Sequence, residues 1–102
     1  MKKITILLPL IPESSIDNCL YAKFKMDILK YIARGYTKTY ADGIYISNEY
    51  KTIEDELQKI EIVVEDNIVN RLLDTVIELK DSMQNKQECI YVDVVSCDLY
   101  LL

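Results

Sequence analysis

Apolar residues recur at two different periods along this chain, and the switches between those periods mark out its elements. From Lys3 to Leu10 the period is two. Ile4, Ile6, Leu8 and Leu10 share one face while Thr5 and Leu7 share the other, as in a strand covered on one side. Pro9, with no N–H to give a ladder, marks its end. Pro12 and Ser14-Ser15 then turn the chain, with Ser14 placed to cap a helix and Asp17 in its first turn, where the helix dipole favours a carboxylate. Ile16, Leu20, Phe24, Ile28, Tyr31 and Ile32 keep helical spacing opposite Lys23, Asp27 and Lys30. This predicts an amphipathic helix of about five turns ending near Arg34-Gly35.

The period returns to two in a strand from about Thr39 to Ser47, and a polar connection over Asn48 to Thr52 leads to another from about Glu56 to Glu65. There Ile60, Ile62 and Val64 oppose Lys59, Glu61 and Val63. Asp66 is placed to cap a second helix with the stripe Val69, Leu72, Leu73, Val76, Leu79 and Met83, which Gln84-Asn85-Lys86 ends. A last strand, Glu88 to Val95, sets Ile90, Val92 and Val94 against Cys89, Tyr91, Asp93 and Val95, and the tail from Asp98 either extends it or adds a short fifth strand. The order β-α-β-β-α-β predicts an α+β, ferredoxin-like domain: a four-stranded antiparallel sheet with two helices on one face. At 102 residues the whole chain is expected to be one such domain, and half of its residues are hydrophobic, enough for a core.

If helices cover one face, the other displays Thr5, Leu7, Tyr45, Lys59, Glu61, Val63, Tyr91, Asp93 and Val95. That mixture is too apolar for a bare solvated surface, and contiguous apolar patches mark interaction sites. Eight tyrosines against one phenylalanine fit the same picture, since tyrosine joins a large apolar area to a polar tip. Leu7, Tyr45, Val63, Tyr91, Asp93 and Val95 are the expected interface of a dimer or trimer of this chain.

The formal charge of −5 and the lack of a basic run exclude a nucleic-acid partner, whose phosphates need a clustered positive surface. Acidity leaves open a protein partner with a basic groove. Three cysteines without metal spacing point to reduced thiols, and no apolar stretch reaches the roughly 20 residues of a membrane span. A soluble, cytoplasmic protein is expected.

The sequence has no histidine, so it lacks the commonest general base and metal ligand. No catalytic residue, metal site or cofactor is assigned. Glu54, Asp55 and Glu56, with Glu65 and Asp66, are the densest carboxylates and lack the spacing of a cation loop, so a solvated loop is expected. The only two glycines, Gly35 and Gly43, fall in one tract, and Gly35 follows the expected helix end, where a left-handed residue is common. Arg34, Gly35, Thr37, Lys38, Thr39 and Gly43 form the best candidate site for a small anionic ligand: turn amides and flanking donors can hold an anion. Against that, Gly35 serves equally as a helix cap and Gly43 as a place of close packing.

Arg34-Gly35-Tyr36-Thr37, Gly43-Ile44-Tyr45, Glu54, Ile62-Val63-Val64-Glu65-Asp66 and Gln87-Glu88-Cys89-Ile90-Tyr91-Val92 resemble the landmarks of a little-characterised group of small bacterial ferredoxin-like domains. More distantly, the architecture is similar to the PII and CutA proteins. The resemblance implies a unit that assembles through its sheets, commonly as a trimer, with ligands in clefts between subunits. The PII nucleotide loop is not recognisable in the short Asn48 to Thr52 connection. The leading reading is a non-enzymatic, homo-oligomeric binding or regulatory module acting through its sheet face and the 34–45 tract. The alternatives are a small acidic viral or mobile-element inhibitor of a host factor and a cofactor-free isomerase or oxygenase using Tyr, Asp93 or Arg34.

Overall fold

The computed structural model describes residues 1–84 and 89–100, the side chain of Tyr45 excepted. Strands β1 (Lys2–Pro9), β2 (Thr37–Ile46), β3 (Thr52–Val64) and β4 (Tyr91–Ser96) alternate with helices α1 (Asp17–Asp27) and α2 (Val69–Ser82) in the expected order. The sheet runs β2-β3-β1-β4, and every neighbouring pair is antiparallel. This is the ferredoxin-like α+β fold.

Its core follows the alternation in the central strands. Ile4, Ile6 and Leu8 of β1 and Ile60, Ile62 and Val64 of β3 are buried against Tyr21, Phe24 and Ile28 from the first helical segment and Leu72, Val76, Leu79 and Met83 from the second. Each large aliphatic side chain taken from water contributes roughly 1.5–3 kcal/mol, so these two strands and two helices carry most of the stabilisation.

The first helix departs from the expected stripe. Its α-helical part stops at Asp27, and a π-helical turn over Ile28–Ile32 leads to Ala33 in extended conformation. Ile16 and Tyr31 lie outside the core and are exposed, while Asp17 and Tyr21 take their places facing inward. Asp17, expected in the first turn of the helix, lies there fully buried, and its Oδ1 accepts a hydrogen bond from the Gln84 N–H just beyond α2 at 2.8 Å. The carboxylate thereby ties the start of α1 to the end of α2. The Tyr21 hydroxyl donates to the Pro9 carbonyl at 2.8 Å, and its pKa is raised by burial and by the neighbouring Asp17 charge. Ser14 does not cap the helix; Ser15 Oγ accepts from the Asp17 N–H instead, at 3.3 Å.

Other boundaries also move. Gly35 follows the end of the π turn, and neither glycine has a positive φ, so no left-handed cap operates there. Asp66 opens a 3-10 turn and pairs with the Met1 ammonium at 3.2 Å rather than capping α2. Leu10 leaves the core face, because β1 ends at Pro9. Residues 97–100 add no strand; Asn85 to Glu88 and Leu101-Leu102 lie outside the described residues.

The largest departure is in β3, which starts at Thr52, so Glu54, Asp55 and Glu56 sit in a strand and not in a loop. β1 reaches only to Leu57. Beyond it Leu10 N–H still donates to Glu56 O at 2.8 Å, and β2 and β3 run on together from Asp42↔Glu56 to Ile46↔Thr52 as a two-stranded arm of about 17 Å. The molecule is accordingly long, 44 × 26 × 23 Å. At the tip Tyr50 N–H donates to Ser47 O and Ser47 N–H to Lys51 O, both at 2.9 Å, with Tyr50 left-handed at φ 60°.

Candidate functional site

The sheet face away from the helices is built by the odd-numbered residues of β1, and register decides what lies beside each. Val95, Lys3 and Val63 form one row, Asp93, Thr5, Glu61 and Thr37 the next, then Tyr91, Leu7, Lys59 and Thr39. Side chains directly opposite have Cβ atoms about 5 Å apart and interact pairwise. Here they sort into a charged half and an apolar half.

The charged half centres on Glu61. Its Oε1 meets Lys59 Nζ at 2.8 Å and its Oε2 meets Lys3 Nζ at 3.2 Å. The Lys59 hydrogen bond first, and that of Lys3 second, hold the Glu61 carboxyl below the usual carboxylate range. The apolar half begins at Leu7 and continues through Pro9 and its neighbour Leu57 to the base of the arm. Leu7, Pro9, Leu57 and Tyr91 join Ile44 and Ile46 around a groove of about 390 Å³. That volume lies within the roughly 300–1,000 Å³ of small-molecule sites, and Asp55 and Cys89 are the polar residues of its lining.

The residues expected at an interface share this face. Leu7 and Val63 are half-buried between neighbouring strands, Tyr91, Asp93 and Val95 on β4 are exposed, and Tyr45, whose side chain lies outside the described residues, pairs with Ile53 through its backbone. The candidate anion residues are spread more widely. Arg34 and Gly35 precede β2, and Thr37 and Thr39 lie on the open face while Lys38 lies on the helix side. Of the six, Gly43 borders the groove, and a Cβ built there would stand 2.6 Å from Leu57 Cδ1, which accounts for glycine by close packing. Sequence reasoning did not reach Pro9, Leu57, Cys89, Ile44 and Ile46 as groove residues. The parity of β3 would have supplied Leu57 had the strand been extended back to Thr52.

No three Cys, Asp or Glu side chains among the described residues are grouped to hold an ion. Of the arm's carboxylates Asp42, Glu54 and Glu56 share the helix side and Asp55 lies on the other, while Glu65, just past β3, is about 30 Å along the chain from Glu56.

No protein-family model and no curated protein matches the sequence. Solved structures do match its shape. CutA1 from Pyrococcus horikoshii OT3 superposes with a TM-score of 0.73 at 14% identity, over 99% of this chain and 87% of that one. The architecture is that of the CutA proteins. The PII-like CutA of Nostoc sp. PCC 7120 gives 0.65 at 16% identity, over 96% and 82% of the two chains. A phage SAM lyase in complex with S-methyl-5'-thioadenosine superposes on this chain with a TM-score of 0.66 at 13% identity, over 92% of this chain and 79% of that one. No helix among the described residues is long and apolar enough to cross a membrane.

Proposed function

We propose that this protein is a non-enzymatic, homo-oligomeric binding module that works through the open face of its sheet and the 34–45 tract. The observation that carries it is the apolar half of the open face, where Leu7, Pro9, Leu57 and an exposed Tyr91 line a groove of about 390 Å³. Fixed strands hold these residues, and covering them with a second copy removes apolar area from water at roughly 25 cal/mol per Å². The CutA-like fold agrees with an oligomeric regulatory module. The charged half, with Glu61 shared by two lysines, supplies register rather than affinity. Arg34, Thr37, Lys38 and Thr39 are the donors offered to a small anionic ligand or protein partner.

Light scattering at micromolar concentration is expected to return a mass at least twice that of one chain, and Tyr91→Asp to shift the species toward monomer, since burial leaves the new charge without a partner. A strict monomer sinks the proposal. The molecule bound by the phage lyase supplies a probe for the enzyme alternative. S-methyl-5'-thioadenosine is expected to leave the melting temperature unchanged, and saturable stabilisation would favour an enzyme-like pocket. The acidic arm, with Asp42, Glu54, Asp55 and Glu56 around a recess of about 460 Å³, favours as second reading an inhibitor presenting carboxylates to a basic partner protein.

A further inference from the structure

Strand β2 is an edge of the sheet, with β3 as its one strand neighbour among the described residues. An edge of ten residues offers a row of backbone N–H and C=O groups to any strand that fits it. On the helix side it carries, in order, Lys38, Tyr40, Asp42, Ile44 and Ile46, and Tyr40 is 66% exposed. Two like-charge meetings are built into that side. Lys38 faces Lys25 of α1, which lies below the ordinary lysine range through burial first and the Lys38 charge second. Asp42 lies directly opposite Glu56. None of these four side chains has an ion pair among the described residues. The cations therefore sit two residues before Tyr40 and the carboxylates two residues after it, each pair lacking what the other supplies.

We propose that β2 pairs antiparallel with β2 of a second copy about a two-fold axis at Tyr40, so that Lys38 of each chain lies opposite Asp42 of the other. This rests on the self-association proposed above and adds to it a contact at the sheet edge, distinct from the open face. Directly opposite residues on an antiparallel pair share a face with Cβ atoms about 5 Å apart, within reach of an ammonium and a carboxylate. A two-fold at Asp42 would oppose two carboxylates, and one at Lys38 two ammonium groups. Only the axis at Tyr40 matches opposite charges at both ends. A recess of about 240 Å³ bounded by Leu10, Tyr40, Ala41, Asp42 and Glu56 receives the arriving lysine. Lys38 already lies over the Tyr40 ring, 5.6 Å from its centre, so the two rings meet at the axis with a cation on each side. The contact is isologous and closes at two copies, giving a continuous eight-stranded sheet with all helices on one side.

Charge reversal tests it with the full chain. Lys38→Asp alone and Asp42→Lys alone are each expected to raise the dissociation constant by about tenfold or more, because both ends of the two-fold then oppose like charges. An equimolar mixture of the two variants restores the dimer, as does the double variant Lys38→Asp/Asp42→Lys. Both side chains are exposed, and circular dichroism confirms that the variants fold. Amide exchange across residues 38–42 is expected to slow as concentration rises. A mixture that stays monomeric, or a wild-type dimer indifferent to both reversals, overturns the edge pairing. In the second case, loss of assembly in Tyr91→Asp would leave the sheet-face proposal standing. A monomeric wild type overturns both.

Discussion

In the body of the sheet β3 places Ile60, Ile62 and Val64 under the helices at 0, 1 and 3% exposure, whereas in the arm the same alternation leaves Ile44 and Ile46 of β2 at 70 and 69%. The strand chemistry is alike in the two regions. What differs is the second layer. The first helical segment ends at Ile32 and α2 packs beside it over β1 and β3, so among the described residues no helix covers the arm past Leu57. Alternation decides which residues share a side, and burial requires something to pack against. A two-stranded ribbon is at best marginally stable by itself in water, which gives the exposed isoleucines a use only when another surface covers them.

The sharpest break of this comparison is a matched truncation. Ile62→Ala in the body is expected to cost about 2–5 kcal/mol in denaturant unfolding, through lost burial and the cavity left behind. Ile46→Ala in the arm is expected to stay within about 0.5 kcal/mol under monomeric conditions. Equal losses at both would mean that the arm is packed like the body. At the arm's tip, Tyr50 holds a left-handed conformation that costs a non-glycine residue roughly 1–2 kcal/mol. Tyr50→Gly is expected to raise the stability of the hairpin by about 1 kcal/mol, read as slower amide exchange between Thr52 and Glu56; faster exchange would give the tyrosine ring a packing role.

The two glycines separate the regions again. Nothing lies within 4 Å of a Cβ at Gly35, whose φ is ordinary, so Gly35→Ala is expected to raise stability by about 0.4–1 kcal/mol through the unfolded chain. At Gly43 the same change pushes on Leu57 Cδ1 and narrows the groove, so it gains less than Gly35→Ala. A larger gain at Gly43 in thermal melts would contradict the close packing. The smallest effect is electrostatic. The Glu61 pKa is depressed in the fold, so its contribution is present above its unfolded pKa and lost as pH falls through the folded value. Glu61→Gln is expected to flatten the acid limb of the stability curve slightly, and an unchanged limb would mean that Lys3 and Lys59 give the carboxylate nothing net.

Much of this was written in the residues. The alternation of Ile4, Ile6 and Leu8 and of Ile60, Ile62 and Val64, and the stripe Leu72, Val76, Leu79 and Met83, specify a one-sided sheet and a covering helix because period is a local property of the chain. Local pattern also placed Leu7, Val63, Tyr91, Asp93 and Val95 on one open face. Other features depended on residues distant in sequence. Asp17 reads as a first-turn helix residue, with no sign of the Gln84 N–H that the fold brings to it, and Glu54 to Glu56 read as a loop until β2 pairs with them. Gly43 reads equally as part of a ligand site or as a place of close packing until Leu57 arrives beside it. Sequence determined the periods, and hence the elements and their faces; tertiary structure decided which faces found a second layer, because burial depends on what the rest of the chain brings alongside.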